Sequence, residues 1–271
     1  MSPFNPRQLL EGKVGGTGPG QEPSGEDLPR MSFFEHLEEL RKRLVVSIIT
    51  VFVTFLLSWG FADRIFEFLA RPVTRVLPPG QHLSYTTLTE PFLMYFRVAL
   101  LAGTLAASPI LLWQVWLFIS PALYRREKRW VLPFVFFGVV FFLSGCAFAY
   151  YEAFPLVVGF LIGVGTKGNF QAVITINEYV SMASKLILGL GLCFEMPILV
   201  FFLARLGIVS ERWLLAKFKY AVLIIFVIAA IITPTPDIAT QCVFAFPMIG
   251  LYLLGILIAW MFRRRSPAEP T

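Results

Sequence analysis

Residues 33–44 read FFEHLEELRKRL, so three carboxylates (Glu35, Glu38, Glu39) run straight into Arg41, Lys42 and Arg43. A long apolar run begins at Leu44. The cations explain themselves, because lysine and arginine at the ends of a membrane span set its orientation. The carboxylates do not, since acidic groups are badly placed beside an anionic leaflet. As structure, the stretch makes sense: Ser32 with Glu35 fits a capping box. Phe33, Leu37, Leu40 and Leu44 then share one apolar face of an amphipathic interfacial helix. Glu38 and Glu39 each have a cation four residues on, in Lys42 and Arg43. A solvated, salt-bridged face is therefore one reading; acidic groups held for a cationic ligand are the other.

Three further places offer chemistry. In ISPALYRREKRW, residues 119–130, Glu127 stands among Arg125, Arg126, Lys128 and Arg129. It reads either as a neutralising acid in a topogenic cluster or as a carboxylate at the membrane rim open to a cation. Glu195 lies in LGLGLCFEMPIL, inside an apolar run. An ionisable group at that depth costs about 2.5–3.5 kcal/mol on insertion scales, so it should face protein or water. Pro197 removes a backbone donor and predicts a kink there. Lys185 is ten residues earlier, about 15 Å along a helix, and is no direct partner. In ITPTPDIATQC, Thr233, Thr235, Asp237, Thr240 and Gln241 bring polar groups to a hairpin and into the run after it. Asp237 reads as a helix N-cap, and the group as a polar patch where another membrane helix can dock.

The elements that must position these residues are helices in lipid. The 271-residue chain is 57% hydrophobic and only 15% charged, with a mean hydropathy of +0.73. That balance cannot coat a water-soluble surface. The pattern predicts an all-α integral membrane protein of six spans, near Leu44–Phe61, Val98–Ser120, Trp130–Tyr151, Tyr179–Leu206, Tyr220–Ile232 and Ile238–Phe262. The fifth is short, and TPTPD alone separates it from the sixth. Most of the 23 basic residues fall before the first span, in the second-to-third and fourth-to-fifth connections, and after the sixth. Both termini are therefore expected in the cytoplasm. Residues 1–30, rich in Gly, Pro and polar residues, read as a disordered extension with no apolar core of a signal peptide. Residues 31–262 form the membrane domain and 263–271 a basic tail. The outer connections, 62–97 and 152–178, are long enough for short helices. Prolines 109, 121, 133, 155, 197 and 247 predict bent spans.

Enzymatic chemistry has no foothold in the pattern. Cys146, Cys193 and Cys242 all lie in apolar runs and read as packing residues. His36 and His82 are the only histidines. There is no HExxH, GxSxG or Gly-rich phosphate loop, and the short basic runs do not suit nucleic acid. A proton-coupled transporter of a small solute, built on Glu195, is the alternative that composition leaves open. Against it stands the lack of an internal repeat.

HLEELRKRL before the first span, SPILLWQVWLFISPALYRREKR closing the second, FEMPI in the fourth and TPTPDIATQ before the sixth resemble the TatC family. This is the polytopic subunit of the twin-arginine protein translocase, and the resemblance runs from about Ser32 to Phe262. It implies a concave, glove-like arrangement of six helices in the bacterial inner membrane. It implies a receptor for signal peptides bearing adjacent arginines. With single-span TatA and TatB partners and further copies of itself, such a receptor moves folded proteins on the proton motive force, with no cofactor, metal or nucleotide. Residue by residue, it implies signal-peptide contacts at Glu39, Arg41, Phe118 and Glu127. It implies an intramembrane acid at Glu195, a polar partner-docking position at Gln241, and outer-loop positions at Pro72 and Asp237. On that basis the acidic residues of the opening stretch have a use: carboxylates supply the planar, bidentate acceptors that paired guanidiniums need.

Overall fold

The computed structural model describes residues 33–76, 83–119, 131–167, 173–205, 207–233 and 237–261. The chain divides into two units, Met1–Glu39 and Leu40–Thr271. Among the described residues the architecture is all-helical apart from one isolated bridge, Ser84 with Thr175.

Helix α1, Phe33–Trp59, carries the charged stretch and the first apolar run without interruption. The sequence reading set an interfacial helix ahead of the span. The structure makes it the first turns of α1, because no glycine or proline occurs between Phe33 and Trp59 to part them. At Gly60–Phe61 the chain turns, the Phe61 N–H donating to the Ser58 carbonyl at 3.0 Å. Helix α2, Ala62–Val76, leaves at 86° to α1. It buries Ala62, Leu69, Ala70 and Val73 and exposes Asp63, Arg64, Glu67, Phe68 and Arg71.

Helix α3, Glu90–Ile119, starts eight residues ahead of the predicted span. Its two charges are held. The Glu90 carboxylate accepts from the Thr86 N–H at 3.1 Å and from its hydroxyl at 2.5 Å, and Arg97 donates to the Asn177 side chain. Helix α3 runs antiparallel to the Leu40–Trp59 part of α1: Arg43 meets Gln114, Phe55 meets Gly103, and Trp59 meets Phe92. At the Gly103 crossing a Cβ would lie 2.7 Å from the Phe55 backbone nitrogen, so only glycine fits.

Helix α4, Val131–Phe148, continues through a π turn, Ala149–Ala153, into α5, Phe154–Lys167. Pro155 cannot donate to the carbonyl four residues back, and a residue is absorbed by the wider turn, in which the Phe154 N–H reaches Ala149 O. The helix thus passes the predicted stop at Tyr151 and remains apolar from Val135 to Gly165.

Helices α6, Ile176–Phe194, and α7, Met196–Arg205, make one broken span. Gly145 of α4 and Gly191 of α6 let these helices close up, since a Cβ at Gly145 would lie 2.8 Å from the Leu190 carbonyl oxygen. Small residues at crossings are how membrane helices gain dispersion contact without a hydrophobic drive. A short helix, α8 (Glu211–Ala216), is capped by the Ser210 hydroxyl. Then come α9, Phe218–Ile232, and α10, Ile238–Met261. The core is centred on Phe154, Tyr179, Leu186, Leu190, Phe244 and Met248. Among the described residues four helical stretches are long and apolar enough to cross a membrane, the bent pair α1–α2 makes a fifth, and α9 is apolar but shorter.

Candidate functional site

The first group sits where α1 and α3 meet. Arg43 Nη1 donates to Gln114 Oε1 at 3.4 Å, and Gln114 is buried among apolar residues of α3. Phe118 is one turn beyond Gln114 on the same face of α3 and is half-buried. Trp116, between them in sequence, packs edge-on against Phe202 of α7 at 5.3 Å. Arg41 is exposed at the start of this unit. Glu39, in the other unit, is a half-buried residue of α1. Glu127 lies outside the described residues. Gln114 escaped the sequence reading, although a glutamine in the apolar run LLWQVWLF, four residues before Phe118, was a signal to follow.

The second group is Glu195 and what surrounds it. The α6 helix ends at Phe194, and Glu195 takes up the break. Its N–H donates to Leu192 O at 3.2 Å, while its own carbonyl accepts from the N–H groups of Ile198 and Leu199. Pro197, with no N–H, explains why the ladder tightens here. The carboxyl is 6% exposed, and Oε1 has no hydrogen-bond partner among the described residues. It lies against α4: a Cβ at Gly138 would sit 3.5 Å from Oε2 and 3.5 Å from Leu112 of α3. So the acid faces protein, in a space that Gly138 leaves open. The sequence located the acid and not the glycine opposite, since 57 residues separate the two in the chain.

The third group ties α9 to α10. Asp237 caps α10, its Oδ1 accepting from the Thr240 N–H at 2.8 Å and its other oxygen from the Thr240 hydroxyl. Gln241 Nε2 donates to the Phe226 carbonyl at 2.8 Å. Thr233 is buried, its N–H donating to Ala229 O.

Pro72 is buried inside α2. A proline cannot donate to the carbonyl four residues back, which here belongs to Phe68. The Tyr150 hydroxyl donates to that carbonyl at 2.6 Å, and the Tyr179 hydroxyl to the next one, Leu69 O, at 2.5 Å. Pro72 thus frees a carbonyl by which α2 is fastened to the π turn.

The TatC family profile, described as Sec-independent protein translocase protein (TatC), matches residues 35–247. The chain belongs to the TatC family. It is 50% identical over 246 residues to the Sec-independent protein translocase protein TatC of Koribacter versatilis, covering 90% of each chain. To the TatC of Desulforapulum autotrophicum it is 41% identical over 237 residues, 88% of this chain and 87% of that one. A crystal structure of the twin-arginine translocase receptor TatC superposes with a TM-score of 0.74 at 37% identity, over 84% of this chain and 99% of that one. A second, of the same receptor in the detergent DDM, gives 0.75. TatC is a multi-pass membrane component of protein transport, and membership replaces the solute-transporter alternative. The four groups above all lie within the matched residues 35–247, and the match begins at Glu35, past the Gly/Pro-rich residues 1–30.

Proposed function

We propose that this TatC protein is the signal-peptide receptor of a twin-arginine translocase in a bacterial inner membrane, with both termini in the cytoplasm. The observation that carries the reading is the likeness, over nearly the whole of its length, to the solved twin-arginine translocase receptor. Glu39 and Glu127 accept the two guanidiniums of the signal, with Arg41 and Phe118 completing the contact surface. Gln114 holds Arg43 one turn from Phe118, which fastens the α1–α3 crossing at that end of α3. Single-span partners of the TatA and TatB type dock near Gln241 and the capped start of α10, further copies of the chain assemble with them, and the proton motive force drives the passage of folded cargo. Pro72 and Asp237 hold the outer connections.

Photo-crosslinking tests the receptor role. A probe near Glu39 or Glu127 is expected to capture a twin-arginine signal peptide and to capture its twin-lysine counterpart far less, because lysine is a point donor with no bidentate geometry. Equal capture of both peptides would defeat the proposal.

The Glu195 site makes its own prediction. Alanine at Gly138 places a Cβ in ordinary contact with the carboxyl at 3.5 Å, whereas leucine must displace it. Gly138→Leu is expected to impair export of a twin-arginine reporter as severely as Glu195→Ala, and Gly138→Ala to retain most of it. Reporter fractionation, with immunoblotting for membrane accumulation, reads the comparison. Wild-type export by Gly138→Leu would show that the space is unimportant.

A further inference from the structure

We propose that the groove between α2, α3 and the end of α4 holds one acyl chain of a glycerophospholipid, with the lipid's phosphate on Arg64 and Arg71. The groove has a volume of about 250 Å³ and is walled by Phe68, Leu101, Leu105, Cys146, Ala147 and Tyr151 among others. Its size is below the roughly 300–1,000 Å³ of pockets that enclose a drug-sized ligand. It is also too small to take a helix about 10–12 Å across. A slender hydrocarbon chain is what fits.

The charge beside the groove identifies what that chain belongs to. Arg64, Phe68 and Arg71 recur at spacings of four and three, so they share one face of α2. Phe68 is a wall of the groove, and both arginines are exposed beside it. The Arg71 guanidinium lies 5.6 Å from the Phe68 ring centroid. That ring in turn stacks on Tyr150 at 4.6 Å and 14°. The cation is thus held at the mouth by a two-ring stack whose geometry the Tyr150–Phe68 hydrogen bond fixes. Among the described residues neither guanidinium is paired with a carboxylate. The acids of α2, Asp63 and Glu67, form the next stripe round the helix, away from the groove. Because α2 leaves α1 at 86°, it runs along the membrane surface where a transmembrane α1 ends. That is the depth at which lipid phosphates lie, arginine stems snorkel and tyrosines such as Tyr151 concentrate. Arginine is suited to phosphate by its forked donors.

The test uses the purified full-length protein, delipidated in a non-ionic detergent and titrated with dioleoylphosphatidylglycerol under native mass spectrometry. One tightly retained lipid is expected on the wild type. The doubly substituted R64Q/R71Q protein, altered only at exposed positions, is expected to show at least a fivefold lower occupancy at half-saturating lipid. Ala147→Trp, which fills the groove from its lipid-facing wall, should lose the bound lipid. Dioleoylglycerol, with the same chains and no phosphate, should not compete. Unchanged occupancy in R64Q/R71Q, or equal competition by dioleoylglycerol, would overturn the proposal.

Discussion

Alanine at both Glu39 and Glu127 is expected to weaken binding of a twin-arginine peptide by roughly a hundredfold to ten-thousandfold. The range follows from two charge-assisted hydrogen-bonded contacts at about 1.5–3 kcal/mol each, with about 1.4 kcal/mol per factor of ten. Fluorescence anisotropy of a labelled peptide on the protein in nanodiscs gives the measurement. The obvious objection is that Glu39 also supports its own helix, since Arg43 follows four residues on. A surface pair at that spacing contributes only about 0.2–0.5 kcal/mol, far below the expected loss. The two effects therefore separate by size. Helix content and thermal midpoint should barely move while affinity collapses. Each single variant should keep part of the affinity, and glutamine should rescue little, because it preserves the shape of the acceptor without its charge. Undiminished binding by the double variant would place the arginine-reading groups elsewhere in the chain.

The second large effect concerns one chemical change made at two glycines. Gly103→Ala should destabilise the protein strongly, and Gly250→Ala should not. At Gly103 the new methyl would meet backbone atoms of α1, the Phe55 nitrogen at 2.7 Å and its Cα at 2.8 Å. A side chain can rotate out of the way, but a helix backbone moves only as a body, so α1 must back off α3. Overpacking typically costs about 1–3 kcal/mol. The upper part of that range is expected here, along with disturbance of the Phe55–Phe96 ring contact at 5.1 Å. At Gly250 of α10 a Cβ would find no atom within 4 Å. There alanine lowers the entropy of the unfolded chain and favours the helix, by about 0.4–1 kcal/mol. Thermal unfolding in detergent should therefore give a lower midpoint for Gly103→Ala and an equal or higher one for Gly250→Ala. Matching midpoints would mean that the α1–α3 crossing is looser than the structure shows.

Several features of this site were legible without coordinates. Glu195 in an apolar run had to be shielded by protein or water, and it is shielded by α4 and α3. Asp237 after TPTP had to start a helix, and it caps α10. Pro197 had to disturb its span, and α6 breaks at the residue in between. Other features gave a local signal whose outcome depended on the surroundings. Pro155 predicted a bend, and the chain meets it with a π turn that carries the helix past the expected stop at Tyr151. Pro72 looked like a loop proline, yet it sits inside α2, and the Phe68 carbonyl it frees is answered by Tyr150, 82 residues on. The second span was expected to begin at Val98, yet α3 begins at Glu90, because Thr86 and Asn177 satisfy its two charges, Glu90 and Arg97.

What the sequence determined by itself is the class of the molecule, its helical spans, its likeness to TatC and the identities of its unusual polar residues. Those are properties of short stretches. Transfer of an apolar run into lipid, the need to satisfy its backbone by helix formation, and the cost of an ion within it are settled residue by residue. Tertiary structure alone decided which groups meet. Gly138 opposite Glu195, Gln114 holding Arg43, Tyr150 on Phe68, and the arginines of α2 beside an acyl-sized groove all join residues far apart in the chain. Helix crossings in a bilayer are fixed by close packing and interhelical hydrogen bonds and not by the burial of apolar surface from water. Hydropathy therefore marks where each helix lies and is silent on which face it turns to its neighbour.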